Sequence, residues 1–272
     1  MTPARRKAKG ISGRIYLAFI LALMYVPIVL VVLYSFNGSR LSSVWRGFTL
    51  SWYRELFRDR AMFDALRNSL ILALLSSFSA AVFGTLGAVG MARVRPVPGK
   101  ISKAMEYLSI LPIMTPEIIL GMVLLAFFSI LGLPPGMLTL VIAHTCFCIP
   151  YVYLLVKARL AGLDRAYIEA ARNLGAGEWR AFLDITLPLI LPAVVSGILL
   201  SFAMSFDDVI ISVFVTGPGT NTLPIRIYSQ IKTGVTPKTN ALCTLLFAAT
   251  VLLCILSMAV SRIRVKSAGG EK

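Results

Sequence analysis

Three carboxylates lie well inside stretches of chain that are otherwise apolar: Glu117, Asp207 and Asp208. A charge at the centre of a membrane span costs about 2.5 to 3.5 kcal/mol on insertion scales, so such groups face a protein interior or a water-filled path. The chemistry they suit is passage of cations, because anions along a route offset lost hydration as long as they hold the cargo weakly. The three are therefore the candidate substrate-path residues. Adjacent helical residues point about 100° apart, which puts Asp208 on one face with Gly197, Ser201, Ser205 and Ser212, and Asp207 in line with Leu200 and Ile211. The polar face makes Asp208 the better lumen candidate of the pair. The competing role for all three is to cap kinks or to pair with Lys and Arg near the outer surface.

Little else in the chain could do chemistry. Cys146, Cys148, Cys243 and Cys254 all fall in apolar segments without a C-x-x-C pair, and His144 is the single histidine. No metal set or catalytic cluster can be assembled from them. An interhelical hydrogen bond is the expected role of His144. Gly10-Ile11-Ser12-Gly13 offers a serine but no partner base. No G-x4-G-K-[ST] phosphate loop occurs either. No catalytic, cofactor-binding or metal-binding residue is assigned.

The elements that must hold the carboxylates are membrane helices. Of 272 residues 57% are apolar and 14% charged, and the mean hydropathy is +0.82, far from a soluble composition. A spanning helix needs about 20 apolar residues, and six segments qualify: Ile15 to Phe36, Asn68 to Ala92, Met105 to Leu131, Met137 to Val156, Pro188 to Val215 and Ala241 to Ser261. The expected fold is all-α, a polytopic protein of six spans. The first segment is too long for a signal-peptide core and is expected to remain as an anchor. Glu117 follows Met105 by roughly 18 Å of ideal helix and Asp207 follows Pro188 by roughly 28 Å. Both depths run from mid-membrane toward the outer side.

Lys and Arg set the orientation. With the N-terminus inside, 18 basic residues fall on the cytoplasmic side and nine on the other, which favours both termini in the cytoplasm. The net charge of +15 is then topology signal and contact with anionic lipid head groups, and nucleic acid is set aside as a partner. The outer loop from Asn37 to Arg67 carries Trp52, Tyr53, Leu56, Phe57 and Phe63, which predict a short helix at the interface. In the second span Ser76, Ala80, Gly84, Ala88 and Ala92 recur every four residues; that small-residue stripe lets another helix approach closely. Pro112 and Pro116 predict a kinked or unwound third span.

One soluble island interrupts the membrane pattern, from Glu169 to Pro188. Asp164 can cap a first short helix with Leu163 and Ile168 as a staple, and Gly175 or Gly177 can end it. An island of this kind between apolar spans is expected to dock onto something in the cytoplasm.

Glu169-Ala170-Ala171, Gly175, Ile185, Leu187 and Pro188 form the spacing E-A-A-x3-G-x9-I-x-L-P. It resembles the loop by which inner-membrane permease subunits of ABC importers bind their ATPase. Phe48-Thr49-Leu50-x-Trp52-Tyr53 before Asn68-Ser69, Leu111-Pro112 with Thr115-Pro116, and Thr216-Gly217-Pro218-Gly219 before Leu223-Pro224 extend the likeness. Together they are similar to the second permease subunit of spermidine/putrescine importers.

The resemblance implies a type I importer permease fold with a cytoplasmic coupling-helix loop, in the bacterial inner membrane. It divides the chain into a basic tail (1–14), a first span with its outer loop (15–67), a conserved permease core (68–261) and a C-terminal tail (262–272). It implies that Ala170 and Ala171 seat the helix in a groove of the ATPase, that Glu169 supplies charge and that Gly175 makes the bend. The partners it implies are an ABC ATPase dimer, a second homologous permease and a periplasmic substrate-binding protein. ATP and Mg would be used by the partner ATPase, with no cofactor in this chain. Related cargo such as an opine, an aminophosphonate or ferric ion is the alternative within the family, and an ion-coupled secondary carrier, which predicts internal repeats, the alternative outside it.

Overall fold

The computed structural model describes residues 3–39, 44–93, 99–164 and 166–268. Among the described residues the regular elements are helices, with one isolated antiparallel bridge between Asn37 and Phe48. The chain forms two compact units, residues 61–228 and residues 1–60 together with 229–272.

The larger unit carries the three carboxylates and the docking island. It contains α3 (Arg60–Arg93), α4 (Gly99–Met114), α5 (Glu117–Ile130), α6 (Met137–Ala161), α7 (Ala166–Asn173), α8 (Glu178–Ala181), a π-helical turn (Phe182–Thr186), α9 (Leu187–Asp207) and α10 (Ile210–Val215). Its core is built on α6, which buries Leu140, Ala143, Phe147, Val152, Tyr153 and Val156. Close approach to α6 depends on missing side chains. A Cβ on Gly84 of α3 would stand 2.8 Å from the Cβ of Val152, and one on Gly197 of α9 would stand 3.2 Å from its two γ-methyls. In a bilayer lipid offers no hydrophobic drive between helices, so such contacts carry the association. Of the small-residue stripe, Ser76, Ala80, Gly84 and Ala88 are buried, whereas Ala92 is exposed.

Two of the expected spans are not continuous. The third breaks at Thr115–Pro116, where α4 and α5 meet at a bend of 107°. Pro116 removes the donor and excludes the α conformation before it, while Pro112 stays inside α4. Glu117 is therefore not reached along one straight axis from Met105, and the ideal-helix depth does not apply to it. The fifth breaks at Asp208, whose backbone is extended (φ −66°, ψ 130°) between α9 and α10. At its other end that span starts earlier than expected, because α8, the π turn and α9 run on as one helix from Glu178 to Asp207.

The π turn has a local cause. Pro188 has no N–H for the carbonyl of Asp184, and its ring would collide with that carbonyl in a regular α-helix. The chain widens instead, with Leu187 N–H bonding the Phe182 carbonyl five residues back.

The smaller unit holds α1 (Pro3–Tyr34), α2 (Ser51–Leu56), the end of α11 (Leu223–Thr233) and all of α12 (Pro237–Ala268), with α12 packed on α1 and α2. The segment after α1 is folded rather than loose: Trp52 Nε1–H donates to the Asn37 carbonyl (2.7 Å), Phe36 stacks on Phe48, and Lys238 pairs with Asp59 (2.9 Å) and Glu55 (3.2 Å). The expected interfacial helix is α2, which takes Trp52, Tyr53 and Leu56; Phe63 belongs to α3. Four helices are long and apolar enough to span a membrane among the described residues, and the bent pair α4/α5 makes a fifth. The sixth expected segment, Ala241 to Ser261, lies within α12, and most of its side chains past Leu252 fall outside the described residues.

Candidate functional site

The two helix breaks bring the carboxylates together. Glu117, Asp207 and Asp208 line one cavity of about 240 Å³, with Phe147, Met204, Val209 and Ile210 as its apolar wall. Each acid has a different electrostatic setting. Glu117 is the first residue of α5, where the positive end of the helix macrodipole favours an anion. Asp208 caps α10, accepting hydrogen bonds from Ile211 N–H (3.2 Å) and Ser212 N–H (2.8 Å). Asp207 is the last residue of α9, whose final turn holds no basic side chain. Its charge adds to the negative end of that helix, so a cation is the natural complement there.

The exposure of the two aspartates is the reverse of what the helical face suggested. Asp208 does share its face with buried Gly197, Ser201, Ser205 and Ser212, but this face turns into protein, and the Asp208 side chain is only 4% exposed. Asp207 is the exposed one of the pair. The physical reason is the break between them. An unbroken helix would carry the periodicity through residue 208, whereas the extended Asp208 resets it and commits its carboxylate to the first turn of α10.

His144 makes interhelical hydrogen bonds, as its position in an apolar segment implied. Nδ1 lies 2.8 Å from Ser205 Oγ and Nε2 lies 3.0 Å from Ser212 Oγ, with Asp208 Oδ2 at 3.4 Å. Sequence reasoning had no means of choosing these partners, since Ser205 and Ser212 stand 61 and 68 residues away.

The docking island is built from local rules. Asp164 accepts the Ala166 N–H (2.9 Å) at the start of α7, while the side chain of Ile168, the other half of the expected staple, is outside the described residues. Gly175 ends α7 at φ +83°, with Gly175 N–H to the Arg172 carbonyl and Ala176 N–H to the Ala171 carbonyl. That is a Schellman motif, and it demands a residue tolerant of the left-handed region. Gly177, at φ −66°, is not the turn residue. Arg172 and Glu178 pair across the turn.

Of the island's expected contact residues, Glu169, Ala170, Gly175 and Pro188 are exposed, and Ile185 and Leu187 are half-buried. Ala171 faces inward at 6% exposed, because α7 folds back on α8 and the π turn. The outward surface includes three large apolar side chains not singled out from sequence: Tyr167, Leu174 at 89% exposed, and Trp179. Their signal was present as bulky apolar residues in a short polar segment, the mark of a covered surface.

Comparison with known proteins agrees with this geometry. The spermidine/putrescine transport system permease protein PotC of Shigella flexneri is 39% identical over 256 residues, covering 94% of this chain and 96% of that one. The putrescine transport system permease protein PotI of Escherichia coli K12 is 43% identical, covering 83% of this chain and 82% of that one. Among solved structures, a bacterial ABC transporter importing the polysaccharide alginate matches with TM-score 0.76 at 14% identity, over 96% of this chain and 98% of that chain. The MetNI methionine ABC transporter matches with TM-score 0.62 at 19% identity, over 79% of this chain and 97% of that chain. These two fix the fold alone. The family model for the binding-protein-dependent transport system inner membrane component matches residues 80–267, and the chain belongs to that family of permease subunits.

Proposed function

We propose that this chain is the permease subunit of an ATP-driven importer that moves polyamines such as spermidine and putrescine across the bacterial inner membrane, with both termini in the cytoplasm. The observation that carries the cargo assignment is the cavity at two helix breaks where Glu117 and Asp207 present negative charge beside apolar walls. Flexible di- and tri-cations with methylene spacers match such a lining, with carboxylates for the amines and Phe147 and Met204 for the spacers. The names of the most similar relatives support the same cargo. An opine or an aminophosphonate carries negative charge of its own and fits this lining less well.

Transport then needs an engine outside this chain. An ATPase pair using ATP and Mg docks on α7, with Glu169 and Ala170 at the contact and Leu174 and Trp179 covered by it. A second homologous permease and a periplasmic binding protein complete the assembly. The one helix from Glu178 to Asp207 joins the docking island at its N-terminal end to the carboxylate cavity at its C-terminal end. Motion of the island moves the floor of the cavity directly.

The test is uptake of labelled spermidine by proteoliposomes holding this chain with its ATPase, second permease and binding protein. Asp207→Asn and Glu117→Gln are expected to lower maximal uptake with the assembly intact. Full uptake by both variants would remove these residues from the path, and nucleotide-free uptake by this chain alone would remove the importer reading.

A further inference from the structure

The break after α9 is held by a buried polar chain. Ser76 of α3, Ser205 of α9, His144 of α6 and Ser212 of α10 are each 2% exposed or less, so bulk water does not complete their hydrogen bonds. Ser76 Oγ lies 2.9 Å from Ser205 Oγ, Ser205 Oγ lies 2.8 Å from His144 Nδ1, and Ser212 Oγ lies 3.0 Å from Nε2.

Proton accounting gives this chain one direction. The Asp208 carboxylate can only accept, so the ring nitrogen facing it and Ser212, Nε2, carries the proton. In a neutral ring Nδ1 is then the acceptor and takes the Ser205 hydroxyl proton. Ser205, its proton spent, accepts from Ser76. The ring proton is shared between Ser212 Oγ and, more distantly, Asp208 Oδ2, the oxygen that also accepts Ser212 N–H. One side chain thereby ties the last turn of α9 to the first turn of α10 across the extended Asp208.

We propose that His144 is a positioning residue for transport: by bridging Ser205, Ser212 and Asp208 it locks the break and so fixes where Asp207 points in the cavity. The inference rests on the reading of Asp207 as a path residue for its effect on uptake, but not for its effect on geometry. Asp207 follows Ser205 by two residues and precedes the capped turn. Its direction is set by the same backbone that His144 holds from both sides.

The experiment uses the assembled transporter in proteoliposomes with three changes, His144→Ala, His144→Leu and His144→Gln. Leu fills the ring's volume without hydrogen bonds, while the Gln side-chain N–H can reach Ser212 and Asp208. The first readout is the rate at which a cationic methanethiosulfonate reagent modifies Asp207→Cys in each background, with the modified site read by mass spectrometry. The second is the split of spermidine uptake into KM and maximal rate.

Ala and Leu are expected to change the labelling rate at position 207 and lower maximal uptake by about tenfold, the size of one lost hydrogen bond to a charged group. Gln restores both. Wild-type labelling and uptake in the Leu variant would overturn the proposal in favour of simple packing, as would a Gln variant no better than Leu. If Ala fails to assemble, Leu against Gln still decides. If Asp207→Asn keeps full uptake, the path reading fails, and the labelling rates alone judge His144.

Discussion

The two ends of the long helix from Glu178 to Asp207 are built on opposite principles. At the docking end each feature answers to a neighbour in sequence: Asp164 caps two residues ahead, Gly175 closes a turn with carbonyls three and four residues back, and Pro188 widens the turn before it. At the cavity end the local cap of Asp208 is joined by features that answer to distant elements. Glu117 arrives from a separate bent pair, and the Asp208 cap is held by a histidine of α6. An exposed end without a buried core of its own must be self-supporting. A buried end whose charges would be unaffordable alone must be supported by the rest of the fold.

The widest separation of the two ends is expected from Glu169→Lys. Reversing the charge at the docking face should abolish ATPase co-purification and uptake while leaving membrane insertion unchanged, as read by pull-down and membrane content. Retained assembly would break the assignment of that face.

A sharper contrast lies between neighbours at the cavity end. Asp207→Asn is expected to lower uptake by about tenfold with unchanged thermal stability, whereas Asp208→Ala, which removes a cap, should lower stability by about 1 kcal/mol. Thermal unfolding in detergent set beside uptake separates them. Equal effects on both readouts would mean that the two acids do the same job.

The contact that holds the span at its middle comes next. Gly84→Ala puts a Cβ 2.8 Å from the Val152 Cβ and 3.0 Å from the Ile149 carbonyl, an overpacking worth about 1–3 kcal/mol. Adding Val152→Ala should recover part of it, since the intruded atoms are then partly gone. Failure of that rescue would point to the atoms the change leaves in place, the Cβ at 152 and the Ile149 carbonyl, as the obstacle.

The smallest effect is expected from Arg172→Gln. Its pair with Glu178 is more than half exposed on both sides, and exposed pairs contribute about 0–1 kcal/mol. Assembly with the ATPase should change little. A large loss would mean that Arg172 itself meets the partner.

The same division explains what could be read without coordinates. Helix caps, turns and apolar spans follow from residues within one or two turns of each other, so Asp164, Gly175 and most of the span positions were legible. The stripe of Ser76, Ala80, Gly84 and Ala88 announced a helix contact but not its targets, Val152 of α6 for Gly84 and Ser205 of α9 for Ser76. Helical periodicity could not rank the exposure of the two aspartates because it assumes an unbroken helix, and the family resemblance that put Ala171 at the contact carries no information on α7 folding back on α8. Nothing local distinguishes Asp207 from Asp208 until the chain between them is extended.

The amino-acid sequence by itself determined the solvent, the all-helical class, the location of the polar island between spans and the set of charges that had to be sheltered. Composition, spacing and short-range hydrogen bonding depend only on nearby residues. The tertiary structure alone decided that Glu117 and Asp207 share a cavity, that Asp208 is a cap and that His144 braces it. Those outcomes depend on two chain breaks and on contacts between α5, α6, α9 and α10, and long-range packing of that kind leaves no periodic trace in the chain.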